Sequence, residues 1–122
     1  MSKSQRTKGN AAELEVEKIV VKYLGGTCYR VPNSGGLVVK GDLVVEDNIL
    51  EHGHSEVKRQ ERISLGAWMA QAEADAGGKW WWLTHRRSRE CWKVTMKLED
   101  WLADMAELQA FRAKEADDDT VY

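Results

Sequence analysis

Proline occurs once in the chain, at Pro32, and cysteine twice, at Cys28 and Cys91. With one proline and ten glycines the sequence is neither low-complexity nor disordered in composition. Two cysteines are too few for a disulfide framework or a Cys₄ zinc site, so both read as reduced, half-buried strand residues. No window approaches the roughly 18 consecutive apolar residues of a membrane span. The polar start Met1-Ser2-Lys3-Ser4-Gln5-Arg6 also lacks the apolar stretch of a secretory signal. The expectation is a soluble, cytoplasmic protein with no membrane partner. There is no internal repeat and no linker, and 122 residues suit one domain with no room for a second catalytic one.

What the chain does have is apolar residues, 43% of the total with six tryptophans, enough for a packed core. Its formal net charge of -2 is unevenly spread. Sixteen basic and 12 acidic residues lie at or before Lys97, whereas Glu115, Asp117, Asp118 and Asp119 make an acidic tail that reads as flexible from about 114. Basic clusters stand at Lys3/Arg6/Lys8, Lys58/Arg59/Arg62 and Arg86/Arg87/Arg89. Such clusters suit a phosphate backbone and equally suit a solvated surface.

Between Ala11 and Leu24, the residues Ala12, Val16, Ile19, Val20, Tyr23 and Leu24 share one helical face, and Gly25-Gly26 stops the helix. Strands are predicted at Thr27–Val31, about Asp42–Glu46, His54–Gln60, Trp80–His85 and Cys91–Met96. A second helix, capped by Ser64 and ended by Gly77-Gly78, presents Leu65, Trp68, Met69 and Ala72. A basic turn covers Arg86–Arg89, and a last helix runs from about Leu98 to Ala113. This order predicts an α/β layer fold with a mixed sheet. Trp80, Trp81 and Trp82 alternate across a sheet covered on both faces and belong to the core, as does Trp68, which is alternatively at an interface.

The chemistry centres on Asp42, at the start of one strand, and Glu56-Val57-Lys58 in the next. A period of two puts Glu56 and Lys58 on one face and Val57 on the other. Hard cations such as Mg²⁺ take oxygen ligands, and Asp42, Glu56 and the Val57 carbonyl can supply them. Lys58 can then orient an attacking water or stabilise charge on a phosphate. The same residues also read as a cross-strand charge pair and a turn aspartate. Glu13 falls between Val20 and Leu24 on the apolar face, where a carboxylate wants a metal or a cationic partner unless it reaches water. Glu15, Lys18 and Lys22 project elsewhere, and Glu17 at the rim is the substitute. His52 and His54 read as surface turn residues, although His54 shares a face with Glu56; His85 reads as a strand end.

Lys8-Gly9-Asn10-Ala11-Ala12-Glu13-Leu14-Glu15, Arg30-Val31-Pro32-Asn33-Ser34-Gly35, Gly41-Asp42-Leu43-Val44-Val45 and Glu56-Val57-Lys58, in this order, resemble the archaeal-type Holliday junction resolvases and their phage-borne relatives. The resemblance covers about Lys8 to Val94. It implies a restriction-endonuclease-like PD-(D/E)xK core, a mixed sheet of about five strands flanked by helices. It also implies a homodimeric, Mg²⁺-dependent endonuclease, with Mn²⁺ as substitute ion, that cuts two opposed strands of a four-way junction. Glu13, Asp42, Glu56 and Lys58 match the catalytic positions, and Asp42, Glu56, Val57 and Glu13 the metal site. Arg30 and Ser34 match an arginine and a loop serine that serve the DNA. Arg6, Lys8, Arg59, Arg62, Arg86, Arg87 and Arg89 are the further DNA-contact candidates. Leu14 departs from the family, which often carries arginine there; Arg6 or Lys8 then substitutes. Two other readings stand beside this one: a PD-(D/E)xK nuclease for duplex or flap DNA, and a catalytically silent DNA-binding protein of the same fold.

Overall fold

Residues 3–31 and 41–120 are described by the structure, a computed structural model, with side chains over 10–31 and 41–117. The first helix, α1, spans Lys3–Leu24 and starts earlier than the apolar periodicity predicts, because its opening turns are polar. Its buried stripe is Ala12, Val16 and Val20 at spacing i, i+4, i+8. Ile19, Tyr23 and Leu24, expected on that stripe, are exposed. The helix hands over to strand β1, Thr27–Arg30, which pairs antiparallel with β2, Leu43–Glu46.

Strand β3, His54–Arg59, leads through helix α2, Leu65–Ala76, to the parallel strand β4, Trp81–Arg86. Strand β5, Lys93–Thr95, returns antiparallel along β4. The five strands therefore form two hydrogen-bonded sheets, β1-β2 and the mixed β3-β4-β5, where one continuous sheet is expected. Ser64 occupies the position before α2, yet its side chain makes no capping bond; Gly77, in the left-handed conformation at φ 59, ends the helix.

All six residues of β4 are buried, as befits a central strand covered on both faces. The alternation splits its tryptophans. Trp82 joins Val57, Leu43, Val45 and the α1 stripe in one core. Trp81 and Leu83 join Trp68, Ala72 and Ala76 of α2 in the other. A fully buried side chain such as Leu83 stabilises by roughly 1.5–3 kcal/mol. Residue 86 belongs to this strand and not to the turn that follows. Cys28 is half-buried as expected, whereas Cys91 is exposed and precedes β5. The last helix, α3, spans Leu98–Thr120, so the acidic segment after 114 continues it as helix to Thr120. No helix among the described residues is long and apolar enough to cross a membrane.

Candidate active site

Asp42 lies where the two sheets meet. Its amide donates to the Ser55 carbonyl at 2.9 Å, and its own carbonyl accepts from the Val31 amide at 3.1 Å. Its Oδ2 accepts from the Val57 amide at 2.6 Å, so a carboxylate closes the seam between β2 and β3. Gly41 permits the approach. Its φ is +102, and a Cβ there would stand 2.9 Å from both the His54 ring and the Ser55 carbonyl.

On β3 the period of two points Ser55 and Val57 to the α1 side, and His54, Glu56 and Lys58 to the α2 side. Glu56 is only 3% exposed. Its Oε1 meets His54 Nε2 at 2.8 Å, and Thr84 Oγ1 donates to its backbone carbonyl at 3.3 Å. His54 is buried, which overturns its reading as a surface turn residue; Gly53 and the Trp80 ring cover its end of the strand. Asp75, from the last turn of α2, completes a group in which His54, Glu56 and Asp75 each offer a ligand atom within 4.8 Å of the others. Beside it opens a cleft of about 420 Å³ whose lining includes His54, Asp75, Lys79 and Glu51.

The charges in this site oppose one another. Burial, then the Asp42 charge and a hydrogen bond with it, push the Glu56 carboxyl up to about 8, against the pull of Lys58. Burial and the Asp42 charge likewise push Glu13, on α1, up to about 7, while Arg30 at 3.9 Å from its Oε2 opposes the rise. Asp42 thus acts on both glutamates. His54 is held below the usual imidazole range, chiefly by burial. Carboxylates that raise one another's affinity for protons form a site that a divalent cation would relieve, and their oxygens are the donors a hard cation takes.

The chain matches one family, "phage putative PDDEXK endonuclease", over residues 4–121. The chain belongs to that family. No curated relative and no solved structure matches it. A PDDEXK endonuclease acts on DNA, and such nucleases use divalent metals. The carboxylates of Glu56 and Asp75 beside His54, with Asp42 next to Glu56, are donors of the kind such an ion takes.

The other predicted site residues lie in several different environments. Val57 is committed twice, its amide to Asp42 and its side chain to the core. Arg30 is half-exposed beside Glu13. Arg62, Arg87 and Arg89 are exposed. Arg6 and Lys8 lie on α1 with side chains outside the described residues, and Ser34 lies outside the described residues altogether. Arg59 and Arg86 face the other way from Glu56, toward α1, where both pair with Glu15. Arg59 Nη1 lies 3.4 Å from Glu15 Oε2, and Arg86 Nη2 lies 2.8 and 3.1 Å from the two Glu15 oxygens. Arg86 is buried and stacks over the Trp92 ring at 5.2 Å. Its expected place on the basic turn is thereby corrected, since the strand runs one residue further. Glu15 itself, read as projecting elsewhere, is the acid that ties α1 to the sheet. His85, near Trp68, bonds Thr95 Oγ1 at 2.8 Å inside the sheet.

Two participants escape sequence reading. Asp75 lies three residues after Ala72 on α2, which carries a helix residue to the same face, but nothing in sequence says which strand that face meets. His54 shares its face with Glu56 by the period of two; only its burial was hidden.

Proposed function

We propose that the chain is a Mg²⁺-dependent, homodimeric endonuclease that resolves four-way DNA junctions, with Mn²⁺ as substitute ion. The observation that carries this reading is the fixing of Asp42 on the Val57 amide beside buried Glu56, with Lys58 two residues on along the same strand face. Asp42, Glu56, Glu13 and the Val57 carbonyl are the groups that hold the ion in this reading. When bound, the ion neutralises phosphate charge and lowers the pKa of the attacking water.

The chain's own groups do the rest. Asp42 cannot swing away, because its backbone is bonded on both sides and its Oδ2 is engaged. His54 orients the Glu56 carboxylate from the opposite side. Lys58 donates to the attacking water or to the phosphate oxygen on which charge grows. The water oxygen bonds to phosphorus, one ester P–O bond breaks, and the leaving oxygen takes up a proton. Glu13, whose carboxyl sits near neutrality, accepts the proton the water loses. Exposed Arg62, Arg87 and Arg89, with Arg30, Arg6, Lys8 and Ser34, address the DNA backbone. Arg59 and Arg86 serve the fold through Glu15. Junction specificity rests on the ordered resemblance to resolvases, and two opposed cuts call for two sites related by a two-fold axis.

The test is cleavage of a four-way junction, a flap and a linear duplex of equal length, each with Mg²⁺ and with Mn²⁺. Paired cuts in opposed strands of the junction, faster than any cut in the other two, are expected. Equal or faster cutting of duplex or flap assigns a different nuclease specificity, and binding without cleavage under either ion assigns a silent binder.

A further inference from the structure

Helix α3 has no buried residue between 98 and 117. Leu98 is 66% exposed, Trp101 46%, Leu102 47% and Phe111 57%. A helix with only Asp100, Met105 and Leu108 half-buried gains little stability from packing, yet this one spends its large apolar residues in an ordered pattern. Leu98, Trp101, Met105 and Leu108 recur at steps of three, four and three, the a/d spacing of a helix that pairs with another helix. Leu102 borders that seam. At 100° per residue Leu108, Trp101, Met105, Leu98 and Leu102 span an arc of about 120° into which none of Glu99, Asp100, Asp104, Glu107, Glu115 and Asp117 falls, and Arg112 continues that face one turn on.

We infer that α3 is an intermolecular helix that pairs antiparallel with α3 of a second copy of this chain. This deepens the homodimer of the proposed function by naming its surface, and it does not need the cleavage chemistry. Charge selects both the partner and the direction. Residues through Lys97 carry a net +4 and those from Leu98 onward a net -6. Parallel pairing would lay the two runs of Glu115, Asp117, Asp118 and Asp119 side by side. Antiparallel pairing sets Leu98 against the partner's Leu108 and Trp101 against the partner's Met105. Each acidic run then extends past the start of the other helix, toward the partner's basic body. Leu98, Trp101 and Leu102 keep about half or more of their surface open in the single chain, and pairing two copies covers it.

The experiment is sedimentation velocity over a micromolar concentration series, on wild type, Trp101→Glu/Met105→Glu and Asp104→Asn, with circular dichroism on each. Wild type is expected to be a dimer and the double variant a monomer of unchanged helicity. Asp104 borders the centre of the seam, and antiparallel pairing brings the two copies of it near each other. Asp104→Asn, which removes no apolar contact, should therefore shift the dimer midpoint to lower protein concentration. A monomeric wild type, a double variant that stays dimeric, or an Asp104→Asn dimer no tighter than wild type overturns the inference. Calorimetric Mg²⁺ titration on the same samples keeps the two readings apart: a wild-type dimer that binds no Mg²⁺ supports the pairing and contradicts the nuclease reading.

Discussion

Asp42 Oδ2 accepts the Val57 amide proton at 2.6 Å, where a pairing strand would ordinarily offer a backbone carbonyl. One carboxylate therefore serves the fold and the site together, and substitutions separate the two roles. Asp42→Asn retains an oxygen that accepts from Val57 and loses the charge. The fold is expected to survive, with the Glu13 and Glu56 carboxyls titrating at lower pH by NMR because their shared repulsion is gone. Asp42→Ala strands the Val57 amide, and denaturant unfolding should show a loss of about 1–3 kcal/mol. Unchanged glutamate titration in Asp42→Asn would contradict the convergence of the three acids.

The raised carboxyls carry a stability signature with a definite sign. Glu13 and Glu56 hold protons to about 7 and about 8 in the folded chain, against an ordinary glutamate value of 4.5. Between about 4.5 and about 8 the native state thus binds more protons than the unfolded one, and stability falls as pH rises. The metal-free protein should melt at a higher temperature at pH 5.5 than at pH 8.5, and saturating Mg²⁺ should shrink that difference by holding the ionised carboxylates. A melting temperature that rises over this window without metal would refute the assignment.

Glu15 and Arg86 supply a contrast, since their ion pair lies across the sheet from Glu56. Glu15→Ala leaves a buried guanidinium without its carboxylate. Because Glu15 is half-exposed, the expected cost is about 1–3 kcal/mol, below that of a fully buried pair. Mg²⁺ affinity should not change. Arg87→Ala/Arg89→Ala, at exposed turn positions, should do the reverse: stability holds, while junction affinity drops and its salt dependence flattens. Calorimetry and salt-titrated binding check both.

The parts of the site legible in sequence are those set by short-range periodicity. Glu56 and Lys58 share a strand face whatever the fold around them, and the α1 stripe places Glu13 near the sheet. Gly25-Gly26 and Gly77-Gly78 mark helix ends for conformational reasons that need no tertiary structure. What escaped depends on which elements meet. Arg86 looks like one of three turn arginines until β4 is seen to run one residue further and carry it under α1. His54 looks like a turn residue until it is seen buried in β3 against Glu56. Asp75 joins the site only because α2 packs across β3. The break into two sheets is likewise invisible locally, since it turns on a carboxylate taking the place of a ladder carbonyl. The full length of α3 escaped because its last turns lack the apolar stripe by which a helix is read.

The central claim is that Glu56 belongs to the chemistry and not merely to a charge pair, and Glu56→Gln tests it most directly. The amide keeps the shape and can still bond His54, but it removes the charge that in the proposed function holds the ion and faces the phosphates. The measurement is cleavage and binding of a four-way junction on one preparation, shown to be folded by circular dichroism. Cleavage is predicted to fall by orders of magnitude, with binding equal to wild type or tighter because a repelling charge is gone. A folded Glu56→Gln protein that cuts junctions at the wild-type rate would contradict the account.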